Sequence, residues 1–235
     1  MIGLLPIYAE NIIENGTKLP VQGVIMETMK LVQSYTERGW NVFPCKIKDK
    51  TPLVKWQDEA TNDIEKVKSW WTAYPNANVG LATGRRSMFW ALDVDAGHGG
   101  VETLKRLISE HGSLPNTPVS KTGGGGFHYL FSYANGENVR NTASKIGKGI
   151  DTRGDGGYIV APPSLHPSGK FYQWDDNHDP SKIDLSPAPA WLLELLERPQ
   201  EAPGALEVDK TGAYSSGQRN SALTSLSGAM SSKGM

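Results

Sequence analysis

The sequence lacks several features that mark particular classes of protein. It has one cysteine, Cys45, in 235 residues, so an internal disulfide is excluded, which fits a reducing cytoplasm. No apolar run approaches the roughly 20 residues of a membrane span, and residues 1–8 lack the charged start and long apolar stretch of a signal peptide. The five histidines are scattered and offer no zinc-ligand spacing. These absences predict a cytoplasmic protein without a zinc site.

A strong charge of either sign is also missing, because the formal net charge is -1 at pH 7. The charge is nevertheless uneven: basic residues outnumber acids in 120–170, whereas acids outnumber basic residues in 171–210. The middle of the chain could therefore meet phosphates. Because basic residues are few, we expect nucleic-acid binding that is modest, strongly dependent on salt and without base-specific readout.

Residues 89–95, Phe-Trp-Ala-Leu-Asp-Val-Asp, predict a buried strand that ends in two acids. Alternate side chains of a strand share a face, so Trp90, Leu92 and Val94 lie on one side and Asp93 and Asp95 on the other. Two carboxylates about 5 Å apart repel by about 3 kcal/mol at an effective dielectric of about 20, and a divalent cation would offset this repulsion. The pattern fits a metal site, but it equally fits a strand that runs into an acidic, solvated turn.

Apolar spacing in the rest of the chain predicts mixed helices and strands. We expect helices at 24–38, after a cap at Asn62, at 100–111 and at 190–197. The expected strands are 40–44, 78–82, 117–120, 127–132, 158–161 and 171–174.

A glycine-rich loop precedes a histidine in the middle of the chain. Lys121 and Thr122 lead into four glycines, 123–126, and then into the predicted strand with His128. Glycines let a backbone approach a ligand closely and point its amides at phosphate oxygens, although a hairpin turn explains such a run as well. A single strand histidine is usually structural. Here it follows a possible phosphate loop and precedes another acid, Asp151, and this combination favours a functional role.

A second polar block follows Asp151. Arg153 is a candidate ligand for phosphate, and the alternative is an ion pair with Asp151 or Asp155. Ser164 and His166 stand in a Pro-Pro-Ser-Leu-His-Pro-Ser-Gly turn. Their polar groups could contact a nucleotide, or they could hold the turn together.

Three elements in a fixed order carry a resemblance to a known family. They are Asp93-Val-Asp95 at the end of an apolar strand, the glycine loop into His128, and Asp151 before Arg-Gly-Asp-Gly-Gly-Tyr-Ile-Val-Ala-Pro-Pro-Ser. This order resembles the bifunctional primase/polymerase (prim-pol) branch of the archaeo-eukaryotic primase superfamily, over residues 39–197. The resemblance implies an α+β fold with an RRM-like catalytic core, a smaller N-terminal α/β subdomain and an active site in the cleft between them.

The resemblance also implies a domain organisation. The catalytic domain would span 24–198, after an extension of unclear role at 1–23. A linker at 199–217 would lead to the start of a truncated helical module at 218–235, with a helicase domain expected further along a longer chain.

The resemblance assigns roles to four residues. The metal-binding acids would be Asp93, Asp95 and Asp151, which would hold two Mg²⁺ or Mn²⁺ ions, and His128 would contact the phosphates of the incoming nucleotide. Apart from the resemblance, the chemistry of the side chains favours phosphate contacts by Arg153 and Lys121 and further nucleotide contacts by Ser164 and His166. One departure is the glycine loop: relatives often carry a hydroxyl residue there, and 123–126 offer none, so Thr122 or backbone amides would have to serve.

These residues predict a metal-dependent, template-directed nucleotidyltransferase, a DNA primase/DNA polymerase of a phage- or plasmid-type replication protein. It would synthesise and extend primers from NTPs or dNTPs on a single-stranded DNA template. Two alternatives are a non-catalytic nucleic-acid-binding module and a metal-dependent phosphohydrolase, in which water replaces the sugar hydroxyl as the attacking group.

Overall fold

Helices and antiparallel sheets alternate along the chain in the computed structural model, which describes residues 12–14, 17–19, 21–134 and 138–198. The α-helices are α1 (Val21–Glu37), α2 (Trp56–Glu59), α3 (Ile64–Ala73), α4 (Gly100–His111) and α5 (Ala190–Glu197). The first five strands are β1 (Ile12–Glu14), β2 (Thr17–Leu19), β3 (Val42–Cys45), β4 (Asn78–Ala82) and β5 (Phe89–Val94). The others are β6 (Val119–Lys121), β7 (Phe127–Ser132), β8 (Ile150–Arg153), β9 (Tyr158–Ala161) and β10 (Gln173–Trp174). The α+β class is therefore confirmed.

These elements belong to one compact unit that ends at Glu197. At its start, β1 and β2 pair as a two-stranded antiparallel sheet. The predicted linker at 199–217, the predicted helical module at 218–235 and much of the predicted extension at 1–23 lie outside the described residues. No helix among the described residues is long and apolar enough to cross a membrane.

A five-stranded sheet in the order β10-β6-β7-β5-β8 forms the middle of the unit, and every neighbouring pair in it is antiparallel. The two faces of β5 pack into different cores, as the alternation of its side chains predicts. Trp90 and Leu92 belong to a core that includes Leu104 of α4 and Leu192 of α5. Ala91 faces the other way, into the second core. The sheet is consequently covered on both faces.

A three-stranded antiparallel sheet, β3-β4-β9, lies against that second face. Its residues Val42, Leu81 and Ile159 share a core with Ala91 of the large sheet, and α1 and α3 pack against β3. The predicted smaller subdomain is therefore not built from the N-terminal segment alone. The reason is that β9 follows β8 in the chain and returns to pair with β4 through Val79 to Ala82.

Several predicted elements differ in detail from the structure. The strand β8 was not expected, because its sequence Ile-Asp-Thr-Arg is mostly polar, yet it pairs with β5 along its whole length. The cap of α3 is Asp63 and not Asn62, because the Asp63 carboxylate accepts a hydrogen bond from the backbone nitrogen of Glu65. The strands 78–82 and 127–132 and the helices 100–111 and 190–197 have the predicted bounds.

Candidate active site

Four polar residues form one row across the large sheet, which we call the polar row. Ser120 of β6 lies opposite His128 of β7, His128 lies opposite Asp93 of β5, and Asp93 lies opposite Asp151 of β8. Side chains of directly opposed residues point to the same face of a sheet. We call the five-stranded sheet the large sheet and the three-stranded sheet β3-β4-β9 the small sheet. Asp93 shares its face with Ala91, so the polar row faces the small sheet.

Asp93 is the centre of the polar row and is surrounded by positive or potentially positive groups. One carboxylate oxygen, Oδ1, lies 3.5 Å from Nε2 of His128, and Oδ2 lies 3.3 Å from Nη2 of Arg153. Burial raises the pKa of Asp93, but the attraction of His128, Arg153 and Lys50 outweighs burial and holds this pKa well below its usual range. Asp93 is therefore an ionised carboxylate at neutral pH.

Asp151 shares the guanidinium group of Arg153 with Asp93. Its Oδ2 lies 2.9 Å from Nη2 of Arg153, the same nitrogen that contacts Asp93. Its Oδ1 accepts a hydrogen bond of 2.9 Å from the backbone nitrogen of Ser144. The two carboxylates thus converge on one cationic nitrogen, and of the two alternatives for Arg153, the ion pair with Asp151 is present.

Asp95 lies apart from this pair. The strand β5 ends at Val94, and Asp95 caps the short 3-10 helix Ala96–His98. Its Oδ1 accepts a hydrogen bond from the backbone nitrogen of Gly97, and its Oδ2 lies 2.7 Å from Nδ1 of His98. Within the described ranges, no group of three or more His, Cys, Asp or Glu residues is arranged to hold a metal ion. The structure brings Asp93 and Asp151 together and leaves Asp95 with His98.

A cavity of about 310 Å³, which we call the central cavity, opens beside the polar row. The five-stranded sheet and the three-stranded sheet both contribute to its walls. Asp93, His128 and Arg153 line it from the large sheet, and Tyr158 lines it from β9 of the small sheet. The sequence reasoning did not find three further lining residues: Lys50, Trp56 and Tyr172. Lys50 belongs to no motif. The only sequence signal that it could line a phosphate site is the positive charge of the loop at 46–50.

Tyr172 connects His128 with the turn that follows β9. Its ring stacks on His128 with 6.1 Å between centroids and meets the edge of His166 at 5.7 Å. Burial, followed by the charge of Asp93, raises the pKa of the Tyr172 hydroxyl. This hydroxyl is therefore protonated at neutral pH and is available as a hydrogen-bond donor in the cavity wall.

Lys121 and Thr122, at the start of the glycine loop, contact other protein groups. Lys121 Nζ lies 2.7 Å from Oδ2 of Asp175, and this hydrogen bond raises the pKa of the lysine. Thr122 Oγ1 accepts a hydrogen bond of 3.1 Å from the backbone nitrogen of Gly126. The loop is thus a closed hairpin turn between β6 and β7, and its role as a phosphate cradle stays a prediction.

Two of the loop glycines are required by close packing. A Cβ atom on Gly126 would lie 2.1 Å from the carbonyl oxygen of Val94, and one on Gly123 would lie 2.3 Å from Cβ of His166. Both distances are far shorter than van der Waals contact, so no side chain fits at either position. Packing against β5 and against the turn at His166 therefore explains glycine at these two positions.

Ser164 and His166 also have partners within the fold. Ser164 is buried, and its hydroxyl oxygen accepts a hydrogen bond of 2.8 Å from the backbone nitrogen of Val79. His166 accepts one of 3.1 Å at Nδ1 from the backbone nitrogen of Ser168. Desolvation, followed by the charge of Lys50, lowers the pKa of His166. Both residues thus hold their turn together, and nucleotide contacts by them stay predictions.

Comparison with known protein families identifies the family of this chain. The family described as bifunctional DNA primase/polymerase, N-terminal, matches residues 32–191, more than half of the chain. No curated protein matches the chain. The matched range contains the whole polar row, the glycine loop and the central cavity. The chain therefore belongs to the bifunctional DNA primase/polymerase (Prim-Pol) family.

Proposed function

We propose that the protein is a metal-dependent, template-directed nucleotidyltransferase that makes and extends primers from nucleoside triphosphates. One observation carries the proposal: the carboxylates of Asp93 and Asp151 converge on one cationic nitrogen beside a cavity lined by Lys50, His128 and Arg153. Phosphoryl transfer requires carboxylates that bind metal ions next to positively charged side chains that bind phosphates.

The carboxylates suit Mg²⁺ or Mn²⁺. Aspartate oxygens are hard ligands of the kind that these ions prefer. The nitrogen Nη2 of Arg153 lies 3.3 Å from Asp93 and 2.9 Å from Asp151, so both acids already reach one positive group. We assign Asp93 and Asp151 as metal ligands. Asp95 would join them only if its side chain gave up its bonds to Gly97 and His98.

A pair of bound ions would supply a lower pKa for the attacking hydroxyl and neutralisation of the triphosphate. The chain's own residues bind and orient the substrate. Lys50 and Arg153 offer positive charge to the phosphates, and His128 offers a ring nitrogen between Asp93 and the cavity. Lys121, Thr122, Ser164 and His166 could add contacts by exchanging a present partner for a phosphate or sugar oxygen.

The proposal includes the RRM-like core and the cleft. The antiparallel sheet with α4 and α5 packed on one face supports the first. The central cavity, with walls from both larger sheets, supports the second. The partners would be a single-stranded DNA template, a primer, and NTPs or dNTPs of a phage- or plasmid-type replication system.

Incubation with a primed single-stranded template, Mg²⁺ or Mn²⁺ and labelled nucleotides tests the proposal, with Asp93→Ala and Asp151→Ala as variants. We expect metal-dependent chain growth in the wild type that both substitutions abolish. Growth that survives both substitutions, or no growth with either metal, would contradict the proposal.

A second candidate is a non-catalytic module that binds nucleic acid or nucleotides. The separation of Asp95 from the other two acids favours it, because the resemblance assigns all three acids to the metal site and the structure brings only Asp93 and Asp151 together. Template binding without synthesis would be its signature. Released phosphate without chain growth would instead indicate a phosphohydrolase.

A further inference from the structure

Two buried polar atoms of the polar row have no hydrogen-bond partner among the residues that the structure describes: Oγ of Ser120 and Nδ1 of His128. Ser120 is 0% exposed and His128 is 5% exposed. Buried polar atoms in folded proteins nearly always have partners, and leaving one without a partner destabilises the fold. Two such atoms on neighbouring strands point to a bond between them.

The register of the sheet puts the two residues face to face. Ser120 and His128 are direct partners of the β6–β7 ladder, and directly opposed residues have Cβ atoms about 4.5 to 5.5 Å apart on the same face. A serine hydroxyl has three staggered positions about χ1 and one freely rotating proton. The hydroxyl of Ser120 can therefore reach Nδ1 directly or through one water.

The chemistry of Asp93 decides which ring nitrogen of His128 faces it as a donor. Asp93 is an ionised carboxylate that can only accept, and it faces Nε2 of His128 at 3.5 Å, so Nε2 carries the proton. A serine hydroxyl can pair with Nδ1 in either state of the ring, because it donates to Nδ1 of a neutral ring and accepts from Nδ1–H of a charged one. Tyr172 does not supply this partner at the ring edge, because it lies across the ring face with an interplanar angle of 29°. The hydroxyl of Ser120 lies on β6, the strand next to His128 on the side away from Asp93.

We propose that Ser120 is a positioning residue whose hydroxyl forms a hydrogen bond with Nδ1 of His128, directly or through one water, and holds Nε2–H toward Asp93 and the central cavity. The fold thereby has a hydroxyl beside the histidine although the glycine loop 123–126 has none. The hydrogen bond itself does not depend on the proposed function. Its benefit to nucleotide transfer rests on that function.

Nitrogen-15 NMR of the histidine rings tests the bond in nucleotide-free protein, with the pH raised until the His128 ring is neutral and with His128→Gln used to assign its signals. An acceptor nitrogen with a hydrogen bond resonates at a lower chemical shift than one without. We expect the lower shift for Nδ1 in the wild type and the higher one in Ser120→Ala. Ser87→Ala is the matched control: Ser87 is also buried, but it bonds to the backbone nitrogen of Asn41, so Nδ1 should not move.

A wild-type Nδ1 signal at the position of an unpartnered acceptor would overturn the proposal even if Ser120→Ala did not fold. An unchanged signal in folded Ser120→Ala, or an equal change in Ser87→Ala, would also overturn it. In the extension assay Ser120→Ala should lower kcat/KM about 10- to 100-fold, mainly through kcat, as loss of an orienting partner does. A wild type with the expected spectrum but no nucleotide incorporation would refute the proposed function and leave the hydrogen bond standing.

Discussion

The polar row and the loops beside it carry similar side chains, but these side chains are satisfied in different ways. In the loops each has a partner within the fold: Thr122 accepts from Gly126, and Ser164 accepts from Val79. In the polar row, Oγ of Ser120 and Nδ1 of His128 have no partner among the described residues. Polar groups that already hold a turn together are costly to redirect, whereas unsatisfied ones gain from a new bond. Under the proposed function, the comparison assigns the chemical groups to the strands, while the loop residues hold the site in shape.

The largest expected effect comes from Asp93, the centre of the polar row. Asp93→Asn removes the charge that His128 and Arg153 face, and we expect nucleotide incorporation to fall about 100- to 1000-fold, as loss of one preorganised electrostatic group does. Rates of primer extension measure the effect. Asp155→Asn is the matched control, because Asp155 bonds to Tyr133 and to the backbone of Arg85 instead of the row. Equal losses in the two variants would break the distinction between row and surroundings.

Arg153 should give the next largest effect. It contacts both carboxylates and lines the central cavity, so Arg153→Ala should raise the KM for the nucleotide about 10- to 100-fold, the loss expected for a hydrogen bond to a charged group. The control is Arg106→Ala, since Arg106 pairs with Glu110 on the exposed side of α4. Steady-state kinetics would contradict the assignment if KM stayed constant and only kcat changed.

The glycine loop should affect stability more than chemistry. Gly126→Ala would place a Cβ atom 2.1 Å from the carbonyl oxygen of Val94, whereas Gly124→Ala would place one 3.5 Å from the ring of His166. We expect Gly126→Ala to lower the free energy of unfolding by about 2 to 3 kcal/mol and Gly124→Ala to change it by less than about 1 kcal/mol. Denaturant unfolding of both variants provides the comparison. Equal stabilities would show that the turn does not pack as described.

The smallest effect concerns the pH dependence of stability. The pKa of Asp93 is held below its usual range in the folded protein, while the unfolded value is about 3.9. Its stabilising contribution is therefore present above about pH 4 and is lost as the pH falls toward the folded pKa, by at most about 1.4 kcal/mol per pH unit. Unfolding measured from pH 7 to pH 3 should show a steeper decline for the wild type than for Asp93→Asn. Parallel declines would exclude this role.

Much of the fold follows from apolar periodicity. The strand at 89–94 and the strand at 127–132 are continuous runs in which alternate residues enter different cores, so both strands and the bounds of the second could be predicted. The first was predicted one residue too long, because Asp95 caps the following 3-10 helix. The strand β8 could not be predicted, because its polar sequence lacks the apolar pattern of a buried strand. It is a strand because it pairs with β5. The return of β9 to the small sheet depends on long-range pairing, which local sequence does not encode.

The candidate site was predictable in part for the same reason. Asp93, His128 and Asp151 stand out as polar residues on or beside apolar strands, and the structure aligns them in one row. Asp95 has the spacing of a partner, but the chain leaves the strand after Val94 and turns its carboxylate to His98. Ser120 escaped notice because its position opposite His128 depends on the length of the hairpin turn. Lys50 reaches the cavity from a distant loop.

The account requires that Asp93 and Asp151 together hold a divalent cation at the central cavity. Titration of Mn²⁺ followed by electron paramagnetic resonance, with a nucleoside triphosphate present, measures this binding directly in the wild type and in Asp93→Asn/Asp151→Asn. We expect saturable binding in the wild type that weakens at least about tenfold in the double variant, as the loss of charged ligands predicts. Equal Mn²⁺ affinity in the two proteins would contradict the account.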